Sequence, residues 1–463
     1  MTDPMTGGVQ PMDRPAGLRR WLPSDLNDPL LRSAYSLMLN AGAGAVIGLA
    51  YWTVTARVFD EKDVGVGLAI LAAMRFLAAI TSFGFVGTLA RFIPESGRRT
   101  GRFVGGVYLA GAGLAVAGCL IFLLTLARWD GTYSLLSGWT AGVVFTVMVI
   151  VWSVSTLQDV VLTALRKAPW VPVANLVFWV VRFGVLAVCA FVLARSTGAA
   201  VSWAVFLAWI GPGLVVALCL NAIIFRRLIP EHARLTADSE LPSPRRVGRF
   251  LAGDYAGSIF TLLFNYGVPV LVAAQVSKEM NAYYGLTITL GAMLEMLSYT
   301  MASSLTVEGA FDAARLAENC RRALRRTFLI LTPLVIAAAA LAPVGLLMFG
   351  DGYAQHATDL MRLIALAALP RAVVELYLGA LRALRRAGMI VFVQFAMAAM
   401  AIGGSQLLLP SHGITGVGMA ILGSQTVTAL AVLPSLRRIA TGRSGSPEPA
   451  RLHPPDHPDG VEA

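Results

Sequence analysis

The chain has 463 residues, of which 57% are hydrophobic and only 14% are charged, and its mean hydropathy is +0.69. A water-soluble protein of this length forms two or three domains and needs a charged surface to cover them. The composition therefore argues against a soluble protein, and the net charge of +11 must be interpreted from the positions of the charges.

Twelve apolar segments follow one another along the chain. Each is long enough to cross about 30 Å of hydrocarbon as a helix, which takes roughly 20 residues. The apolar runs are continuous and do not alternate, which favours helices over a β-barrel. The sequence therefore predicts an all-α polytopic membrane protein with twelve transmembrane helices. The predicted spans are residues 34–56, 66–90, 103–127, 136–157, 171–194, 201–225, 250–277, 283–307, 327–349, 360–382, 388–409 and 414–434.

The basic residues are distributed unevenly between the two sides of these spans. If the N-terminus is cytoplasmic, 28 of the 37 lysines and arginines lie in cytoplasmic tails and loops, 6 in outer loops and 3 within spans. This distribution follows the positive-inside rule and predicts that both termini are cytoplasmic. The positive charge is then explained by orientation and by contact with membrane lipid, so no nucleic-acid partner is expected.

The spans divide six and six at a polar, proline-containing connection. Residues 58–70, VFDEKDVGVGLAI, match residues 276–288, VSKEMNAYYGLTI, and residues 162–168, LTALRKA, match 381–387, LRALRRA. Two matches at nearly the same offset indicate two lobes related by a parallel internal repeat, with a site expected between them near the membrane midplane. The predicted division is a cytoplasmic tail (1–33), an N-lobe (34–225), a linker (226–249), a C-lobe (250–434) and a cytoplasmic tail (435–463).

Five ionisable residues lie at membrane depth: Arg75, Arg182, Glu295, Arg371 and Glu375. A charged side chain at a helix centre costs about 2.5–3.5 kcal/mol on insertion scales. Such residues are retained where they are paired or line a wet cavity. They are therefore the candidate site residues of this chain.

The sequence leaves two interpretations open for these residues. Arg371 and Glu375 are one helical turn apart, so they either neutralise each other or line the cavity. Arg75 and Arg182 have no acidic neighbour one turn away. They either pair across helices with Glu295 or face a central cavity, where guanidinium groups would bind an anionic, phosphate-bearing head group. Glu295 is in addition a candidate for reversible protonation or cation binding.

Catalytic signatures are not apparent in the sequence. The histidines lie in loops and the C-terminal tail, and no nucleophile–base grouping, nucleotide-binding loop or metal-ligand spacing is visible. The predicted outer loops are short, which argues against a membrane enzyme such as a glycan polymerase. We therefore expect a protein that is not an enzyme and needs no cofactor. A scaffold without transport activity remains a further alternative.

Three stretches resemble a known family. ARVFDEKDVGVGLAI with FGFVGTLARFIPESG (83–97), the region 349–388, and GITGVGMAILGSQTVTAL (413–430) are similar to bacterial polysaccharide transporters and O-antigen flippases of the multidrug/oligosaccharidyl-lipid/polysaccharide exporter superfamily. The resemblance covers residues 33–434.

This resemblance implies two six-helix lobes that work by alternating access in the bacterial cytoplasmic membrane. Its implied cargo is a lipid-linked, usually pyrophosphate-linked, glycan, with Arg75 and Arg182 as basic cavity residues, and glycan polymerase or export machinery are implied partners. A cation-coupled drug antiporter on the same fold is the alternative. The first span contains no carboxylate, whereas such antiporters commonly carry an acidic cation site there, so the resemblance favours the flippase.

Overall fold

Helices make up nearly all of the part of the chain that the structure describes. The computed structural model describes residues 44, 46–126, 131–167, 170–193, 196–236, 243–311, 316–384 and 386–441, and none of these forms a β-strand. The predicted tail 1–33, most of the tail 435–463 and the beginning of the span 34–56 lie outside these ranges. The α-helices are α1 (Val46–Val58), α2 (Glu61–Phe92), α3 (Thr100–Leu124), α4 (Trp139–Ala164), α5 (Trp170–Leu193), α6 (Ala199–Ile223), α7 (Ile229–Leu235), α8 (Pro244–Leu262), α9 (Val268–Ala273), α10 (Lys278–Phe311), α11 (Leu316–Ala340), α12 (Ala342–Leu347), α13 (Asp351–Ala383) and α14 (Ala387–Ala440).

Eight helices in the described ranges are long and apolar enough to cross a membrane. They cover predicted spans two to six and nine to twelve, and α14 alone covers the last two spans. α10 is long enough but its polar residues make it less apolar, and the apolar helices Val46–Val58 and Ser258–Ala273 are shorter. The chain is therefore a multi-pass, all-helical membrane protein, while the number of twelve spans and their orientation stay predictions.

Several helices are interrupted where the sequence contains glycine or proline. Residues Leu263–Gly267 form a π-helical turn between α8 and α9, within the predicted span 250–277 and shortly before Pro269. A second π-helical turn, Ile224–Leu228, joins α6 to α7, so part of the predicted linker 226–249 is helical. α14 is kinked at Gly413, whose φ of 57° is a conformation that favours glycine.

α2 lies at the centre of the molecule and connects its two halves. We call α1–α7 the N-terminal half and α8–α14 the C-terminal half. α2 packs against α4 and α6 in its own half and against α8, α9 and α10 in the other. Asp60 caps α2 by accepting a hydrogen bond from the Lys62 backbone N–H at 2.9 Å, and this bond satisfies one of the free amides at the helix N-terminus.

The beginnings of α2 and α10 cross at close range. A Cβ atom at Gly65 would overlap the backbone carbonyl oxygen of Lys278, so only glycine permits this approach. Asn281 Nδ2 donates to the Gly65 carbonyl oxygen at 2.7 Å. We call this region, with the residues around the crossing, the Gly65 end; it corresponds to the predicted outer side.

Polar contacts reinforce the Gly65 end. Tyr283 donates a hydrogen bond to a carboxylate oxygen of Glu61, and its ring lies parallel to the His356 ring with centroids 5.2 Å apart. Lys62 Nζ lies 3.4 Å from Glu279 Oε1. The Tyr283–Glu61 and Lys62–Glu279 contacts join the N-terminal half to the C-terminal half, so the two halves are held together at this end. The contact between Tyr283 and His356 joins α10 to α13 within the C-terminal half.

The opposite end of α2, which we call the Phe92 end, also contacts the C-terminal half. The Phe92 and Phe250 rings meet edge to face at 5.5 Å. Arg246 Nη1 lies 3.5 Å from Glu95 Oε2. Both contacts join the N-terminal half to the beginning of α8.

Candidate functional site

A cavity of about 460 Å³ lies between the two halves. Its walls are the middle of α2, the irregular segment from the π-helical turn into α9, the middle of α10 and parts of α13 and α14. The cavity volume falls in the range of about 300–1,000 Å³ that is typical of small-ligand sites. Four of the five predicted site residues line it: Arg75, Glu295, Arg371 and Glu375.

Arg75 is the cavity's cation on the N-terminal half. Its side chain is half-buried, and its guanidinium carbon lies 5.2 Å from the Trp209 ring centre and 5.5 Å from that of Trp152. Its Nε atom is buried without a hydrogen-bond partner, and Arg75 forms no ion pair among the described residues. The rings favour a cation at this position, but they leave its hydrogen-bonding capacity unused.

Glu295 lines the same cavity from α10. It is half-buried, and in the described part of the chain it has neither an ion pair nor a side-chain hydrogen bond. The pairing of Glu295 with Arg75 or Arg182, which the sequence left open, does not occur there. The cavity therefore presents a cation from one half and a carboxylate from the other without direct neutralisation between them.

Arg371 and Glu375 neutralise each other on α13. Arg371 Nη2 lies 2.8 Å from Glu375 Oε1, and the two side chains are only 6% and 8% exposed. The Arg371 guanidinium carbon also lies 5.0 Å from the Phe264 ring centre. The pair satisfies both interpretations drawn from the sequence, because it is an intrahelical ion pair and also lines the cavity.

Arg182 is enclosed by aromatic rings and is not one of the residues that line the cavity. Its guanidinium carbon lies 3.8 Å from the Trp209 ring centre, 3.9 Å from Phe178, 4.3 Å from Trp179 and 5.8 Å from Tyr51. The residue is 1% exposed, and its Nε and Nη2 atoms have no hydrogen-bond partner. Cation–π attraction is thus the main visible compensation for this buried charge. The structure places Arg75 and Arg182 on the same indole ring without placing them in the same cavity.

The aromatic cage around Arg182 was not predicted from the sequence, although the spacing of two of its four rings indicates it. Phe178 and Trp179 precede Arg182 by four and three residues, so helical geometry places their rings on the same face. Tyr51 and Trp209 come from α1 and α6, and no local pattern connects them to Arg182. The half of the cage that comes from α5 was therefore predictable, whereas the half that comes from other helices was not.

A second, more open cavity of about 420 Å³ lies at the Gly65 end. Asp63, one of its lining residues, accepts hydrogen bonds from the Gly198 backbone N–H at 2.8 Å and from Ser202 Oγ at 2.9 Å. The carboxylate thus holds the beginning of α6 against α2. Across the described ranges, no group of three or more His, Cys, Asp or Glu side chains is arranged to hold a metal ion.

Comparison with known proteins identifies the fold. No family model matches the chain, and no curated protein matches it. Among solved structures, it is similar to a multidrug resistance MATE family transporter of the MOP superfamily in an inward-facing conformation, with a TM-score of 0.59, 16% identity, and coverage of 87% of this chain and 96% of the other. It is also similar to the lipid II flippase MurJ in an inward closed conformation, with a TM-score of 0.63, 10% identity, and coverage of 89% and 90%.

A MATE structure in complex with MaL6 is a third neighbour, with a TM-score of 0.56, 16% identity, and coverage of 90% of this chain and 97% of that one. All three likenesses extend over nearly the whole of both chains. At these identities they establish the architecture and leave the cargo open. The chain therefore has the fold shared by MATE transporters and the MurJ flippase.

Proposed function

We propose that this chain is a flippase that moves a lipid-linked oligosaccharide or polysaccharide precursor across the bacterial cytoplasmic membrane by alternating access. The observation that carries the proposal is the position of Arg75, a cavity-lining cation at membrane depth with no ion pair among the described residues. A charge at this depth is retained where it serves a ligand. A guanidinium group binds phosphate or pyrophosphate oxygens through paired hydrogen bonds.

The proposed architecture is twelve transmembrane helices in two six-helix lobes related by a parallel repeat. The bounds of the helices support it: Gly198 and Gly413, both with positive φ, precede the sixth and twelfth predicted spans and lie 215 residues apart. α2 and α10 begin 217 residues apart, at Glu61 and Lys278. A parallel repeat places a binding site between the lobes, where the cavity with Arg75 lies.

The size of the cavity suggests that only part of a lipid-linked cargo would enter the protein, while the rest stays in the membrane. A volume of about 460 Å³ accommodates a phosphate-bearing head group with an adjoining sugar, but not a long lipid as well. The lipid chain would stay in the hydrocarbon beside the helices, where no polar group opposes it. The protein then needs to recognise only the anionic linkage and the first sugar.

Reconstitution into liposomes tests the proposal. A lipid-linked oligosaccharide incorporated in both leaflets would be probed with a membrane-impermeant glycosidase added outside. With the active protein, nearly all of the glycan should become accessible, against about half in protein-free liposomes. Arg75→Gln should reduce the transport rate at least tenfold, since one charge-assisted hydrogen bond contributes about 1.5–3 kcal/mol, and Arg75→Lys should restore part of it.

Arg437→Gln is the matched control, because this exposed arginine lies near the end of α14, about four helical turns beyond the cavity-lining Ile421. The proposal also predicts that a strain lacking the protein and any redundant transporter accumulates lipid-linked glycan facing the cytoplasm. Two results together would contradict the proposal. In liposomes, the wild-type protein would leave only about half of the glycan accessible, as in protein-free liposomes, and the deletion strain would have normal surface glycan.

Glu295 favours a second candidate function, a cation-coupled antiporter of small molecules. A cavity carboxylate without an ion pair in the described ranges is a suitable site for a proton or a metal cation. This candidate predicts that Glu295→Gln abolishes cation-dependent efflux of small molecules and leaves glycan movement unchanged. In a flippase coupled to an ion gradient, Glu295→Gln would instead slow glycan movement itself, so the same variant separates the two functions.

A further inference from the structure

Trp209 is in contact with both N-terminal arginines. The guanidinium carbon of Arg182 lies 3.8 Å from its ring centre and that of Arg75 lies 5.2 Å from it, so the two charges are at most about 9 Å apart. Trp209 is itself 5% exposed, and its ring stacks on Trp52 with centroids 4.9 Å apart. The buried indole of Trp209 therefore contacts both guanidinium groups.

Among the described residues, the caged cation Arg182 has no compensating anion nearby. Arg182 forms no ion pair in the described part of the chain, and its immediate neighbours are the uncharged rings of Tyr51, Phe178, Trp179 and Trp209. Apolar surroundings screen a charge far less than water does. The field of Arg182 consequently extends into the part of the cavity that Arg75 lines, because the two guanidinium carbons are at most about 9 Å apart.

We infer that Arg182 is a positioning charge that sets the preference of the Arg75 cavity for doubly charged over singly charged phosphates, without touching the ligand. This inference rests on the proposed function only in assuming that anions bind at Arg75. Coulomb attraction is proportional to the ligand's charge, whereas a hydrogen bond or a packing contact is not. Arg182 therefore discriminates by charge number, which suits a pyrophosphate linkage better than a phosphodiester.

The size of the effect follows from distance. A phosphate bound at Arg75 would lie no more than about 13 Å from the Arg182 guanidinium, since the two guanidinium carbons are at most about 9 Å apart. With an effective dielectric constant of about 20, Coulomb's law gives roughly a tenfold change in affinity for each unit of ligand charge. Removing the charge of Arg182 should then weaken a monoanion about tenfold and a dianion about a hundredfold.

The test measures binding of two small phosphates to the purified full-length protein in a maltoside detergent, by ³¹P NMR titration at pH 8. Dimethyl phosphate carries one negative charge, and methyl phosphate carries about two at this pH. Arg182→Met is the principal variant, because its flexible thioether chain packs well against aromatic rings; Arg182→Gln is a second neutral variant. Arg182→Lys keeps the charge, and Arg437→Gln is the control for general changes in net charge.

The expected result is that the ratio of the two affinities falls about tenfold in both neutral variants and is retained in Arg182→Lys and Arg437→Gln. An equal loss for both phosphates, or loss of the ratio in Arg182→Lys, would show a packing role and overturn the inference alone. Arg75→Gln shows whether the anion site itself exists. If the wild-type protein binds neither phosphate, or if Arg75→Gln binds both as well as the wild type does, the anion site of the proposed function is wrong. This inference then fails with it.

Discussion

Two of the buried arginines are stabilised by different means. Arg371 forms an ion pair with Glu375 one turn along the same helix, whereas Arg182 is surrounded by aromatic rings. An ion pair needs a carboxylate and leaves no net charge. A cage of rings keeps the full positive charge while removing water from it. The second arrangement is the one that preserves an electrostatic field, which is why Arg182 and not Arg371 is assigned the long-range role.

The Arg371–Glu375 pair should be costly to break from one side. Glu375→Gln leaves a guanidinium group buried without its anion, and such losses destabilise proteins by about 3–5 kcal/mol. Chemical unfolding in detergent would measure the change. Glu318→Gln is the matched control, because Glu318 pairs with Arg322 at the same spacing but both side chains are exposed, and it should cost about 0.3–0.5 kcal/mol.

The double substitution Arg371→Met with Glu375→Leu checks the cause of this loss. Apolar replacements of a buried pair are often neutral or stabilising, so the double variant should recover most of the stability that Glu375→Gln loses. If the double variant is as unstable as the single one, the pair does not act through charge burial and the explanation is wrong.

The position of the five site residues inside long helices could be predicted from sequence, because a charge inside an apolar run is a local feature, and their depth in the membrane stays a prediction. The Arg371–Glu375 pairing was one of two predicted possibilities, because an i,i+4 spacing defines a distance on a helix. The environment of Arg182 could not be predicted in full, since Trp209 and Tyr51 belong to helices that are distant in sequence. Which arginine faces the cavity depends on how α5 is rotated against α6, and hydropathy contains no information on rotation.

Among the helices, α2 and α10 depend on glycine where they cross. Gly65→Ala should place a methyl group against the Lys278 carbonyl oxygen, which is backbone and cannot move aside. Overpacking of this kind costs about 1–3 kcal/mol or more. Gly105→Ala on α3 is the matched control, because a Cβ atom there meets nothing within 4 Å, and alanine favours the helix.

Thermal unfolding of the two glycine variants in detergent gives the comparison. We expect a lower unfolding temperature for Gly65→Ala and an unchanged or slightly higher one for Gly105→Ala. A Gly65→Ala protein as stable as the wild type would mean that the two helices do not pack this closely in solution.

The same crossing should respond to acid through Glu279, which lies outside the predicted span 283–307. A hydrogen bond with its own backbone lowers the pKa of Glu279, with smaller contributions from Ser277 and Lys62. A lowered pKa in the folded state adds stability above the ordinary glutamate pKa of about 4.3, and this stability is lost as the pH falls through the folded value. The stability difference between the wild type and Glu279→Gln should therefore be constant near neutral pH and shrink as the pH falls below about 4.3, the ordinary glutamate pKa.

Unfolding of both proteins between pH 7 and pH 3.5 would measure this dependence. A difference that grows as the pH falls has the wrong sign for a lowered pKa and would contradict the assignment. The magnitude should be small, because the Glu279 side chain is 32% exposed and that of Lys62 is 66% exposed, and exposed ion pairs are weak.

For the whole molecule, the sequence predicted two halves and a site between them, but not how the halves meet. The offset between residues 58–70 and 276–288 relates the beginnings of α2 and α10 as equivalent segments. It does not indicate that these two segments touch each other through Gly65 and Asn281. Contact between the halves depends on their relative orientation, which the offset between two similar segments does not specify.

If transport requires the halves to separate at the Gly65 end, a covalent link across that end should stop it. A water-soluble carbodiimide joins a lysine amine to a nearby carboxylate without a spacer. The chain contains only three lysines, and two of them lie in ion pairs: Lys62 with Glu279 at 3.4 Å, across the two halves, and Lys167 with Glu231 at 2.9 Å, within the N-terminal half. The third, Lys278, would be replaced by arginine throughout.

Two variants then differ only in which link they form. The protein with Lys167→Arg retains the link between the halves, and the protein with Lys62→Arg retains the link inside one half, while their other carboxylates react equally with the reagent. After treatment in liposomes, transport should fall in proportion to the linked fraction, measured by mass spectrometry, in the first protein only. Equal inhibition of the two proteins would mean that the reagent acts by modifying carboxylates such as Glu295. Full activity of the protein in which Lys62 and Glu279 are joined would mean that the halves need not separate at this end. Because the flippase and the antiporter both require alternating access, this result applies whichever cargo the cavity binds.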